Sequence, residues 1–268
     1  MDKMKISIVT VCLNSVDTIA KTIESVLNQT YGNLEYVIVD GASTDGTLDV
    51  IKKYESNPKL IIFSEKDNGL YCAMNKGIDL CTGSYILFLN SGDVLSNKTV
   101  LADAARQMLE EKTMAKVGKG EILPAIFYGN VVRVYEGEQI VEKYAGKHVV
   151  FRLLMMGRMP CHQSIFASKQ LMQEYRFDES YRICADFDFL VRCLHNHISM
   201  RHLDMIVSVV DCVMGISSQS DNLNRMRAED DESIHKNYPI MYYLMWLPKK
   251  VARYFGIRLI NRGYRAKT

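Results

Sequence analysis

The feature that most restricts the fold is a regular alternation along the first third of the chain. Short runs rich in β-branched residues, ISIVTV (6–11), EYVIVD (35–40), LIIF (60–63) and SYILFLN (84–90), read as strands. Between the first two, Ile19, Ile23, Val26 and Leu27 recur at helical spacing, with Asp17 as the expected N-cap. Leu48, Ile51 and Tyr54 mark a second helix, and a third covers about Leu70 to Leu80. Strand and helix in alternation produce parallel strands joined by right-handed crossovers. Runs that are apolar on both faces suit strands covered by helices on both sides. The expected fold class is therefore α/β, with a mainly parallel central sheet flanked by helices.

Residues beyond 110 are less regular. IFYGNVVRVYEG (126–137) predicts a strand running into a turn, HVVFRLLMMGR (148–158) a helix, and HQSIFAS (162–168) a short strand. Residues 185–196 have helical spacing through Phe187, Leu190, Val191 and Leu194, and RHLDMIVSVVD (201–211) reads as another strand. The expected organisation is one domain over 1–220, split into halves of about 1–110 and 111–220, followed by a helical basic tail over 221–268. From Met241 onward there are seven Lys or Arg, no Asp or Glu, and several aromatic residues. That pattern fits either a helix lying on an anionic membrane surface or a docked helix with a solvated basic face.

Composition narrows the function classes. Apolar residues make up 48% and charged residues 24%, enough for a sizeable core. A net charge of +2 gives no reason to expect a nucleic-acid partner. Seven cysteines without a C-x-x-C pair, several inside apolar runs such as IVTVCLN, point to reduced thiols and a cytoplasmic protein. No run approaches the ~20 apolar residues that span a bilayer.

Sheets of this kind bind ligands beyond the carboxyl ends of their strands. That rule selects Val11–Asn14, Asp40–Thr47, Ser64–Asn68 and Asn90–Asp93. Asp93 can hold a hard cation or serve a turn, and Gly92 lets backbone approach a ligand. Asp40 suits either ligand recognition or an Asx-turn, and Asp45 a structural brace. Asp67, Asn68 and Gly69 precede a helix that either favours phosphate through its N-terminus and Lys76 or is a surface helix with a solvated lysine, with Asn75 a poor helix former beside them. Asp186 and Asp188 stand in the first turn of a helix, as dipole partners or with one as a general base. His162 and Gln163 either line a pocket or are structural.

Taken in order, SIVTVCLNS, VIVDGASTDGT, EKDNGLYCAMNKGI, SYILFLNSGD and ADFDFLVR resemble glycosyltransferase family 2, over roughly residues 5–220. The resemblance is closest to bacterial members that build cell-surface polysaccharides. It implies the GT-A (nucleotide-diphospho-sugar transferase) fold and an inverting, Mn²⁺- or Mg²⁺-dependent enzyme. Its donor would be a UDP- or GDP-sugar, and its acceptor a saccharide or lipid-linked saccharide at the cytoplasmic membrane face. Carried over by position, Val11, Leu13, Asn14 and Asp40 lie at the nucleoside, and Asp67, Asn75, Lys76, Ser91 and Gly92 near sugar and phosphates. Asp93 matches the metal ligand and Asp186 the catalytic base, while His162 and Gln163 fall on the acceptor side. The chain departs from the family pattern at Gly41, Cys72 and Gly92, where many members have aspartate, and it lacks the Q-x-x-R-W motif of processive synthases. The rival expectations are a non-catalytic nucleotide-sugar-binding relative and a sugar nucleotidyltransferase. The second is disfavoured by CLNSVDT where a Gly-rich basic loop would follow the first strand.

Overall fold

A computed structural model describes residues 4–117, 124–144, 150, 154, 158–213, 222–248 and 251. Strands β1 (Ile6–Cys12), β2 (Leu34–Asp40), β3 (Leu60–Ser64) and β4 (Tyr85–Phe88) pair in parallel in the order β3-β2-β1-β4. Side chains alternate across this sheet, as the strand repeat requires. Ile6, Ile8, Tyr36, Ile38 and Leu87 face one core with α1 (Ile19–Leu27), α2 (Thr47–Lys52) and α4 (Val100–Val117). Val9, Val11, Val37, Val39, Ile86 and Phe88 face the other core with α3 (Leu70–Leu80). The chain thus runs outward from β1 on one side of the sheet and returns to β4 through α3 on the other. The strand order reverses between β1 and β4, which is where such sheets open a cleft.

Beyond β4 the sheet becomes mixed. A two-residue strand, β5 (Val94–Leu95), leads into α4. The long strand β6 (Ile126–Tyr135) pairs with β7 (Glu138–Glu142), with β8 (Ile165–Ser168) and, in parallel, with β9 (Met200–Asp211). β8 runs antiparallel to β4 and joins the two halves into one nine-stranded sheet. Helices α5 (Lys169–Tyr175), α6 (Ala185–His195) and α7 (Leu223–Asn237) follow, and a short helix Pro239–Met241 runs into a π-helical turn, Tyr242–Trp246.

Several local expectations need amendment. Helix α1 starts at Ile19 and Asp17 does not cap it, because Thr18 and Ile19 donate their N–H groups back to the Ser15 carbonyl. Helix α2 closes at Lys52, so Tyr54 lies in the turn after it. The segment HQSIFAS divides into a 3₁₀ turn, His162–Ser164, and β8. Most of 148–158 lies outside the described residues, as do 249–250 and 252–268. Helix α7 packs on α6 and places Glu229 over the N-terminus of that helix, where it accepts from the N–H groups of Arg182, Ile183 and Cys184 at 2.8–3.1 Å. The described part of 221–268 is therefore joined to the second half.

Candidate active site

The loops after β1 and β2 form one knitted floor. Asn14 donates its N–H to Ser43 Oγ (2.8 Å) and accepts from the Thr44 N–H through Oδ1 (3.0 Å). Ser15 N–H donates to Thr47 Oγ1 (2.7 Å), and Val16 N–H to Asp45 Oδ2 (3.0 Å). Asp45 is thus a brace, as its turn chemistry suggested. Asn14 and Ala42 hold positive φ values of 49° and 61°. Asparagine tolerates that region, whereas for alanine it stores strain that the surrounding bonds must hold. Leu13 stands at the rim, 57% exposed.

Asp40 is wholly buried, and its carboxylate is occupied within the protein. It accepts from Ser43 Oγ (2.5 Å), Ser43 N–H (3.2 Å) and Ser64 Oγ (2.7 Å). These bonds are those of an Asx-turn, one of the two roles that the strand-end position suggested. A Cβ on Gly41 would come within 2.8 Å of Asp67 Oδ2. The missing second aspartate therefore leaves room for Asp67, whose other oxygen accepts the Gly69 N–H at 2.9 Å.

Asp93 closes the turn at the end of β4, donating its N–H to the Asn90 carbonyl at 3.0 Å. Gly92 makes this turn possible with φ +98°, and its N–H donates to Thr22 Oγ1 (2.9 Å). Ser91 Oγ meets Thr18 Oγ1 at 3.0 Å. The Asp93 side chain is 4% exposed. Its Oδ1 accepts the backbone N–H of Asp211 (2.9 Å) and its Oδ2 accepts Gln163 Nε2 (2.7 Å). Burial pushes this carboxyl up to about 6, against the lowering effect of those two bonds.

Asp186 enters the same place from the first turn of α6. Its Oδ2 lies 2.8 Å from His162 Nδ1, and its Oδ1 accepts from the Phe187 N–H (2.9 Å) and faces Tyr71 Oη (3.2 Å). On the far side of the His162 ring, Nε2 meets Asn90 Nδ2 at 3.0 Å. One 3₁₀ turn therefore holds both carboxylates, with His162 on Asp186 and Gln163 on Asp93. Behind Asp186 and His162 is an apolar cavity of about 20 Å³ lined by residues such as Phe88, Phe177 and Phe189.

Other candidates have structural work. Asn75 donates to the Phe177 carbonyl (3.0 Å) and Glu179 Oε1 (2.8 Å) and accepts the Phe177 N–H (3.1 Å). Both amide protons are used, so Asn75 ties α3 to the second half. Lys76 is ion-paired with Glu65. Asp188 is fully buried against Arg192 Nε (2.6 Å) and Ser233 Oγ (2.7 Å). Tyr71, inside a motif already singled out, was not among the sequence candidates, and Asn90 was among them only as the first residue of the strand-end segment Asn90–Asp93.

Among the described residues no group of three or more His, Cys, Asp and Glu could hold a metal. Asp93 alone still fits a hard cation. Each of its oxygens accepts one hydrogen bond and keeps a lone pair, and no described lysine or arginine pairs with it. Mg²⁺ characteristically uses one or two carboxylates and fills its remaining positions with phosphate and water.

Residues 7–151 match the model of a family described as "Glycosyl transferase family 2". The chain is 33% identical over 216 residues to a "PGL/p-HBAD biosynthesis glycosyltransferase" of Mycobacterium bovis, covering 79% of this chain and 78% of that protein. It is 38% identical over 93 residues to a putative teichuronic acid biosynthesis glycosyltransferase of Bacillus subtilis, covering 34% and 37% of the two chains. The fold is like that of Staphylococcus aureus TarS 1–349 in complex with UDP-GlcNAc. The TM-score there is 0.67 at 20% identity, covering 88% of this chain and 68% of that one. It is also like that of a Pyrobaculum calidifontis mannosyltransferase in complex with GDP-Man and Mn²⁺, with TM-score 0.58 and 14% identity, covering 96% and 82%. With this architecture and these matches, the chain belongs to glycosyltransferase family 2 and has the GT-A fold.

Proposed function

We propose that this glycosyltransferase moves a sugar from a UDP- or GDP-sugar to a hydroxyl of a saccharide or lipid-linked saccharide, with inversion, in cell-surface polysaccharide or glycolipid synthesis. The observation that carries the reading is the turn His162–Ser164, which hydrogen-bonds the carboxylates of Asp93 and Asp186 through successive side chains. The nucleoside rests on the floor at Val11, Leu13 and Asn14, with Asp67 beside Gly41. The diphosphate lies at Ser91, Gly92 and Asp93, with Lys76 at the edge. Asp93 would hold Mn²⁺ or Mg²⁺, which supplies stabilisation for the charge growing on the leaving diphosphate. Asp186 takes the proton of the acceptor hydroxyl as its oxygen attacks the anomeric carbon. A single displacement from the face opposite the leaving group inverts that centre.

The acceptor side extends to a membrane surface in this reading. Ile240, Tyr243 and Leu244 are 74%, 57% and 72% exposed, and the sequence after them is basic. Among the described residues no helix is long and apolar enough to cross a membrane. In this reading the contact is peripheral, on the cytoplasmic face. Deleting the residues after 240 is expected to abolish binding to anionic liposomes; unchanged binding would remove the membrane from the account. The donor is tested by a thermal-shift screen of nucleotide-sugars with Mn²⁺, because a ligand that binds only the folded state raises stability in step with its affinity. A shift with UDP- or GDP-sugars supports the reading, and no shift with any of them contradicts it.

A further inference from the structure

We infer that His162 is the positioning residue for Asp186, held by Asn90 as a neutral imidazole with its proton on Nδ1. This rests on the reading of Asp186 as the base. Asn90 Nδ2 is a donor and stands 3.0 Å from Nε2, so Nε2 presents its lone pair. The proton is then on Nδ1, from which it is donated to Asp186 Oδ2 across 2.8 Å. The second nitrogen of a histidine commonly fixes the tautomer in this way.

Two consequences follow for the carboxylate. Oδ1 is filled by the Phe187 N–H with Tyr71 alongside, so the lone pair remaining on Oδ2 is the one that meets an incoming hydroxyl. The acceptor proton goes to Oδ2, and His162 keeps its own. A neutral donor orients Asp186 without the adjacent positive charge that would weaken it as a base. An aspartate at position 90 could not donate to Nε2 and would favour the imidazolium instead.

The arrangement also couples the two ends of the cleft. Asn90 and Asp93 belong to one turn, His162 and Gln163 to another, and each pair is bonded across. Gln163 is itself oriented by the Cys161 thiol, which donates to Oε1 at 2.7 Å and turns Nε2 toward Asp93. Cys161 stays protonated because burial pushes its thiol up to about 12.

The test uses the full chain and the release of nucleoside diphosphate from UDP-glucose, UDP-N-acetylglucosamine and GDP-mannose with Mn²⁺. His162→Ala is expected to lower kcat by about 10- to 100-fold, the usual effect of a misplaced catalytic group, with donor KM unchanged. His162→Asn, whose amide N–H can replace Nδ1–H, recovers most of kcat. In ¹⁵N spectra of the histidine ring, the wild type shows a neutral imidazole protonated on Nδ1, and Asn90→Asp shows both nitrogens protonated at the same pH. Wild-type kcat in His162→Ala beside a dead Asp186→Asn, or an Nε2-protonated ring in the wild type, overturns the inference alone. Full turnover in Asp186→Asn overturns the base assignment and the inference with it. If His162→Ala does not fold, the wild-type spectrum and the kcat of Asn90→Asp decide.

Discussion

The turns after β2 and after β4 carry the same sequence signal, an aspartate at the end of a buried strand, yet they are chemically opposite. At the first, Asp40 is enclosed by Ser43 and Ser64 and faces no open space. At the second, Asp93 has one donor per oxygen, no described cationic partner, and a carboxyl raised to about 6 by burial. The first is a satisfied brace. The second is an under-compensated buried charge, the condition under which a cation or a proton is attracted. Strand-end position therefore locates a site, and only the local hydrogen-bond count separates scaffold from chemistry.

The comparison breaks most readily at Asp93. Asp93→Ala should lower turnover by about 10²–10³-fold, the typical loss when a charge-stabilising group is removed. Steady-state kinetics with a thermal-melt control would check it; turnover near wild type would make this turn a second brace. The next effect concerns pH. The Asp93 carboxyl is raised from its ordinary 3.8 to about 6, so between these values the folded protein binds more protons than the unfolded chain. Its stability cost is absent below about 4, grows as pH rises, and is complete above about 6, on the order of 3 kcal/mol. Melting curves of wild type and Asp93→Asn should therefore diverge as pH rises from about 4 to 6 and run parallel above that, with the variant gaining. Curves parallel over the whole range would show that the carboxylate is not under-compensated.

Asp40→Ala should cost about 1–3 kcal/mol in urea unfolding, because Ser43 and Ser64 lose their acceptor, and leave donor KM nearly unchanged. A stable variant that no longer binds donor would reverse the assignment. Ser64→Ala removes a single donor to the same carboxylate and should cost about 1 kcal/mol by the same measurement. A zero effect would mean that Ser43 alone satisfies Asp40.

The parallel half was legible because its cause is local. Ile6, Ile8, Val9 and Val11 must be buried on both faces, and the helical spacing of Ile19, Ile23 and Val26 must cover one of them. The pairing of β8 between β4 and β6 is not local, so the reading left the second half as disconnected strands. The same limit applies at the site. Asp93 and Asp186 were legible as strand-end and helix-start residues, but their link runs through Gln163 and His162, with Asp93 and Gln163 70 residues apart. The partners of Asn75 were hidden for the same reason. Its oddity within a helix was noticed, but its partners, Phe177 and Glu179, lie about a hundred residues further on.

The measurement that reaches the central claim is turnover and donor affinity of Asp186→Asn in one preparation, with Mn²⁺ present. The account predicts a rate lower by about 10²–10⁴-fold, the range for loss of a general base, with donor binding and melting temperature close to wild type. Turnover near wild type would contradict it, since the group facing the incoming hydroxyl would then not be the one that takes its proton.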